Sequence, residues 1–374
     1  MRARAYEAGW RCDTRARSAR VSVWLLISLG VVANMSLGAP SPSMGSFRDP
    51  LDTPAQATRF ATAIQASAVT KVGARLVAVG VRGLIVLSDD DGRTWRQVAS
   101  PVSSDLVAVH FAAPERGWVS GHDGVILATT DGGEHWTKQI DGRMAAEMLQ
   151  AHLGELAAHG DATAARLLKE VTLNYQNGPE VPMLDLWFEN DRTGWAVGSF
   201  GTILGTIDGG HTWVSWIEKV DNGKMLHYYA VSEVGGNVYL ASEQGTLFRL
   251  DRKRDRFVAI STGYNGSFFG VVGTQAYIIA YGIGGSAYRS RDNGASWQRL
   301  STGVHGSLTG ACVLDDGRLL FVSQDGHVIL SQDQGDSFRS VAISQPDLFT
   351  GIAPAGRNSI VLTGLGGVQR ANLQ

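Results

Sequence analysis

The stretch Gly117–Trp136 reads GWVSGHDGVILATTDGGEHW, and it returns as GWAVGSFGTILGTIDGGHTW at Gly194–Trp213. Its second half, S/T-x-D-x-G-x-x-W/F, recurs as SDDDGRTW (88–95), TTDGGEHW (129–136), TIDGGHTW (206–213), SRDNGASW (290–297) and SQDQGDSF (331–338), with a degraded copy, RLDRKRDRF, at 249–257. A motif that returns at a constant interval is architectural before it is chemical. Asp90 to Asp131, Asp251 to Asp292 and Asp292 to Asp333 are each 41 residues apart, and Asp208 to Asp251 is 43. Asp131 to Asp208 is 77, which places an insertion of about 36 residues between the second and third units. SIVLTGLGGVQRANLQ, at the end of the chain, begins a seventh unit in the same register.

Each unit carries an apolar run, a second β-rich run, a glycine turn, a third run, the aspartate turn and a Trp-led strand. Four strands at a period of 40 to 45 residues describe a propeller blade. The expected fold is therefore all-β: a seven-bladed β-propeller with Asp-box repeats and a helical insertion between blades two and three. The last copy lacks an outer strand, and residues 50–60 are the expected donor, which would close the ring and remove its open edges. The aspartates Asp90, Asp131, Asp208, Asp292 and Asp333 accept amide hydrogen bonds within their turns, and the glycine that follows takes a positive φ. Trp95, Trp136, Trp213, Trp297 and Phe338 then fill space between blades.

Residues 1–39 stand apart. Six arginines and two acids precede an uncharged apolar run from Val21 to Ala39, which reads as a signal peptide ending near Gly38 or Ala39. The chain from 40 to 374 is the propeller, with the helical insertion at 141–180. Uncleaved, the leader would be a membrane anchor; cleaved, it delivers the protein to the periplasm, or to a lumen in a photosynthetic host. Of 33 basic and 35 acidic residues, 27 and 33 remain after residue 39, a net charge of about −6 that argues against nucleic acid as a partner. A monomer is expected.

The fuller pattern, G-W-x-x-G-x-x-G-x-I-L-x-T-x-D-G-G-x-x-W, resembles the photosystem II stability and assembly factor family of cyanobacteria and plastids. The turn itself is the Asp box, or BNR repeat, shared with sialidases and sortilin-type receptors. The family resemblance implies a non-enzymatic lumenal or periplasmic propeller that holds assembly intermediates of a membrane protein complex, and hence a membrane or envelope protein complex as partner. The sialidase-like resemblance implies the alternatives, a glycoside hydrolase or a glycan-binding module.

In a propeller, the turns between second and third strands and the loops that feed the inner strands share one face, where ligands usually bind. The candidates there are Arg82, His122, Asp123, Phe200, Glu243, and in the feeding loops His227, Tyr228, Tyr264, Phe268, Phe269 and His305. A hydrolase would need paired carboxylates, and only Asp123, Glu243 and Asp325 occupy equivalent turns. A sialidase would need an early Arg-Ile-Pro motif, which is absent, and a Tyr/Glu pair, for which Tyr228 and Glu233 are the nearest match. The expectation leans away from an enzyme. The nine histidines show no ligand spacing, and neither metal nor cofactor is expected. Cys312 reads as inert core.

The insertion carries Met144, Met148, Leu149, Leu153 and Leu156 at helical spacing, then Gly160-Asp161, then Leu167, Leu168 and Val171. Two helices follow, with Asp161 capping the second. They could cover the channel mouth, offer a partner groove, or pack on their own propeller.

Overall fold

Alternation of buried aliphatic residues folds each repeat into antiparallel strands, and the computed structural model, which describes residues 48–373, holds seven such sheets. The proposed leader lies outside the described residues. Blades one to six are four-stranded and blade seven has three strands. Neighbouring blades bury a shared layer: Val77, Val79, Ile85 and Leu87 of blade one meet Val119, Leu127 and Trp136 of blade two. Each such side chain contributes about 1.5–3 kcal/mol on full burial.

The aspartate turn folds as expected. Asp90 accepts the amides of Arg93 and Thr94 at 3.0 and 2.8 Å and the Thr94 hydroxyl at 2.7 Å, while Ser88 Oγ accepts the Gly92 amide at 2.9 Å. Trp95 Nε1 donates back to the Gly92 carbonyl at 3.2 Å. Asp131, Asp208, Asp292 and Asp333 repeat this arrangement. Two successive residues take the left-handed conformation, for example Asn293 at φ 57° and Gly294 at φ 89°, which is why Gly, Asn, Asp or Gln precedes the glycine. Trp136 and Trp213 are buried between blades, whereas Trp95, Trp297 and Phe338 are partly buried there.

Residues 50–60 do not donate a strand to blade seven. Asp49 caps a single 3₁₀ turn (Pro50–Asp52), and the chain then crosses the outer side of blades one and two. The Ala55 amide meets the Ser100 carbonyl at 3.1 Å, and Lys138 Nζ donates to the Leu51 carbonyl at 2.9 Å. Pro50, Pro54 and the Asp49 cap favour this course over an extended run. Blades seven and one join instead through side chains: Thr350 Oγ1 donates to the Ala66 carbonyl at 2.7 Å, and Arg370 Nε to the Asp91 carbonyl at 3.1 Å.

The insertion forms α1 (Gly142–Ala158) and α2 (Ala162–Asn174), capped by Asp141 and Asp161. Leu149 and Leu153 of α1 and Leu167 and Val171 of α2 join the cluster that holds Ile140, Trp216 and Ile217. His152 Nε2 lies 2.9 Å from Glu218 Oε1, just after the outer strand of blade three. The hairpin therefore packs on the outside of the propeller, beside blade three. Among the described residues no helix is long and apolar enough to cross a membrane.

Candidate functional site

In blades one to five the turn between second and third strands places a left-handed residue at its tip, followed by a left-handed glycine: Arg82-Gly83, Asp123-Gly124, Phe200-Gly201, Gln244-Gly245 and Gly284-Gly285. Glycine is required there because the next feeding loop passes against it. A Cβ on Gly245 would lie 1.9 Å from the Tyr264 carbonyl. These turns and loops make one face, opposite the Asp boxes.

The inner strands enter the channel from this face, and each begins with the same irregularity. At this end of the strands pairing skips Ser67, Val107, Leu184, Tyr229, Phe269, Thr309 and Thr350, one residue in every blade. A bulge adds one residue and turns its side chain away from the regular alternation. The residues just before, including Tyr228, Phe268 and Phe349, are fully buried, while the bulged residues are half-buried. Five of them, Leu184, Tyr229, Phe269, Thr309 and Thr350, line a cavity of about 280 Å³.

Tyr228 and Phe268 are thus core residues and leave the expected site. Tyr228 is 0 % exposed, its hydroxyl takes the Asn222 amide at 2.8 Å, and its ring meets Phe248 edge-on. Phe268 packs with Tyr239, Leu247 and Ile278. Phe269 stays at the mouth, and Tyr229 takes the place expected of Tyr228. From the rim, Phe200 (42 % exposed) meets His227 at 4.8 Å between ring centroids, His227 meets Tyr229 at 6.3 Å, and Tyr229 meets Phe269 at 5.1 Å. Rings from blades three, four and five form one path from the rim into the channel.

The other expected residues are dispersed. Arg82 and His122 are exposed, and their amides are held by Asp105, at Oδ1 (2.7 Å) and at the carbonyl (2.8 Å). Tyr264 lies between Phe268 and Tyr288, with its hydroxyl 2.9 Å from Ser286 Oγ. His305 borders a separate cavity of about 400 Å³ with Gly284, Arg299 and Thr302. The rim acids hold loops: Asp123 accepts Ser104 Oγ at 2.6 Å, Glu243 the His227 amide at 2.9 Å, and Asp325 the Gly306 amide at 2.9 Å. Among the described residues no three His, Cys, Asp or Glu side chains gather as a metal set. A larger cavity, about 760 Å³, opens on the Asp-box face between hairpins bearing Lys71, Asp315, Asp316 and Arg357. Its charged lining lacks the aromatic anchors of the mouth.

Below the bulges, side chains bridge successive blades by bonding the free edge of the next inner strand. His110 Nε2 reaches the Phe188 carbonyl at 3.0 Å, and Ser232 Oγ the Val271 carbonyl at 3.1 Å. Asp185 joins this series unforeseen: its carboxylate accepts the Val231 amide at 2.8 Å and its neighbour Leu186 at 2.9 Å. Burial pushes Asp185 up to about 7 against the pull of those two amides. Burial also lowers His110 to about 4 and raises the Cys312 thiol to about 12, so the thiol is inert at neutral pH.

The model of the family described as photosynthesis system II assembly factor YCF48 matches residues 87–161 and 160–342. The Photosystem II assembly lipoprotein Ycf48 of Synechococcus sp. (strain CC9902) is 24 % identical over 294 residues, 73 % of this chain and 74 % of that protein. The Photosystem II assembly protein Ycf48 of Synechococcus sp. (strain JA-3-3Ab) is 26 % identical over 175 residues, 39 % and 49 % of the two chains. The solved structure of YCF48 bound to D1 peptide superposes with a TM-score of 0.60 at 15 % identity, over 86 % of this chain and 96 % of that one. YCF48 from Cyanidioschyzon merolae does so with a TM-score of 0.58 at 16 % identity, over 86 % and 98 %. At such identity the structural likeness speaks to the fold.

Proposed function

The chain belongs to the photosynthesis system II assembly factor YCF48 family, and from that premise we propose that it is an exported, non-catalytic scaffold that captures a segment of a membrane or envelope protein complex during assembly. The observation that carries this reading is the ring path Phe200–His227–Tyr229–Phe269, which ends in the apolar cavity at the channel mouth. A shallow site with aromatic walls suits one or two apolar anchors of an unfolded segment. The rim acids support capture over hydrolysis, because Asp123, Glu243 and Asp325 each hold a loop. A relative has been solved with a D1 peptide bound, and binding of a peptide is carried to this chain as part of the proposal.

The test is affinity capture from detergent-solubilised envelope of the host, comparing the wild type with Tyr229→Ala/Phe269→Ala. The reading expects one membrane protein enriched by the wild type and reduced tenfold or more by the double variant. Equal recovery by both proteins would place the contact elsewhere, and turnover on a glycan panel would replace capture with hydrolysis. Intact-mass measurement of exported protein checks the leader: loss of about 39 residues is expected.

A further inference from the structure

Blades one to six are closed on the outer side by a fourth strand, and blade seven is not. Its last strand, Gly367–Asn372, pairs with Ser359–Gly364 across a two-residue turn, with Gly364 opposite Gly367, Leu362 opposite Gln369 and Ile360 opposite Ala371. Hydrogen-bonded and non-bonded pairs alternate in an antiparallel ladder, so the backbone groups of Val368, Arg370 and Asn372 point away from the blade. Among the described residues, none of these groups has a backbone partner. The outer strands of blades one, three and five have two residues each, and the six-residue outer strand of blade four, Arg256–Ser261, is bridged on its outer side by Val220 at Phe257. A six-residue open edge is a template for pairing with another strand.

The same end of blade seven carries exposed apolar side chains. Leu365, in the turn, is 49 % exposed, and its amide donates to the carbonyl of Leu348, itself 39 % exposed. Phe60, 57 % exposed, precedes the turn Ala61–Ala63, which lies against the start of the open strand; a Cβ on Gly367 would meet the Thr62 carbonyl at 2.0 Å. The Arg59 guanidinium stands 4.6 Å over the Phe60 ring, whereas the Arg370 guanidinium, from the edge strand, is held by the Asp91 carbonyl at 3.1 Å and Asn372 Oδ1 at 3.0 Å.

The geometry points to Gly367–Asn372 as a strand-addition site for an extended client segment with an apolar side chain facing Phe60, Leu348 and Leu365, and an acidic side chain facing Arg59. This inference rests on the client-capture reading and adds a second contact, remote from the channel mouth. Main-chain hydrogen bonds would supply affinity and the flanking side chains selectivity. Upstream of Phe60 the described N-terminal segment leads away from this edge: Asp52 pairs with Arg143 at 2.8 Å beside blade two, on the far side of blade one. A second copy is disfavoured by charge, since pairing two of these strands about their centres sets Arg370 opposite Arg370.

The experiment is hydrogen exchange on the full chain, read residue by residue, with and without a synthetic ten-residue peptide of alternating Thr and Val that carries one Phe and one Asp. In the free protein, the Val368 and Arg370 amides should exchange about 100-fold faster than those of Gln369 and Ala371. The peptide should slow the first pair about tenfold or more, and a copy N-methylated at alternate amides should not. Arg370→Pro removes one outward amide while leaving the bonds of Gln369 and Ala371, and it should abolish the protection; Arg370→Ala, which loses the same side-chain bond to the Asp91 carbonyl but retains the amide, should keep most of it. Slow Val368 and Arg370 amides in the free protein at every concentration would mean that the chain covers its own edge, and slowing that grows with protein concentration would mean a second copy. Either result overturns the inference, as does peptide binding that leaves these amides unchanged. If client capture from envelope depends on Tyr229 and Phe269 but survives Arg370→Pro, the capture reading stands and the edge site falls. If capture itself fails, the capture reading falls first.

Discussion

Asp185 shows how one side chain serves both structure and pH response. It links blades three and four through the Val231 amide, yet burial raises its pKa from 3.8 to about 7. A raised native pKa means that the contribution of this group to folding is complete below the unfolded value and is lost as pH rises through about 7. Asp185→Asn should therefore gain melting temperature over the wild type at about pH 8 and show little difference at about pH 4. An equal difference at both values would remove Asp185 as the source. The Asp-box carboxylates behave oppositely. The Thr94 amide and hydroxyl hold Asp90 at about 2, and the Ser337 hydroxyl and amide do the same for Asp333. Their contribution is present above 3.8 and is lost as pH falls toward about 2, so Asp90→Asn/Asp333→Asn should flatten the acid limb of the stability curve. Gly245 has little freedom: at φ +64° and with the Tyr264 carbonyl 1.9 Å from where a Cβ would stand, Gly245→Ala should cost about 2–4 kcal/mol in denaturant unfolding.

Among the elements, the inner strands explain why Tyr229 and Tyr228 exchange roles. Strict alternation read from the chain cannot reveal a bulge, because the extra residue leaves no mark in composition; only the skipped pairing between Tyr228 and Ala230 shows it. The same half-step separates Phe268 from Phe269 in blade five. Helices α1 and α2 were legible from apolar spacing and from Asp161, but their docking surface was not. An amphipathic stripe requires a partner surface without naming it. Leu149 and Leu153 find Trp216 and Ile217 beside blade three. Leu149→Ala should cost about 2–5 kcal/mol if the hairpin unfolds with the propeller. If the hairpin melts on its own, limited proteolysis should cut between His159 and Asp161 at unchanged global melting temperature. Both results are readable in one calorimetry and proteolysis series.

For the whole molecule, ring closure depends on contacts that no local motif encodes. Thr350 bridges blade seven to the first inner strand through the Ala66 carbonyl at 2.7 Å. Thr350→Val keeps the shape and leaves that carbonyl without its donor, a loss of about 1–3 kcal/mol measured by urea unfolding. A neutral result would mean that water replaces the hydroxyl. The blade count, the strand order and the turn chemistry were already in the chain, because Asp, Gly and Trp at a 41-residue interval report local hydrogen bonding and a repeated local fold. The course of residues 50–60, the seat of the helical hairpin, the channel-facing side of Tyr229 and Phe269, and the open edge of blade seven were settled only by the assembled ring. Each depends on which surfaces meet across tens to hundreds of residues, as between Ala66 and Thr350, and sequence periodicity carries no record of such encounters.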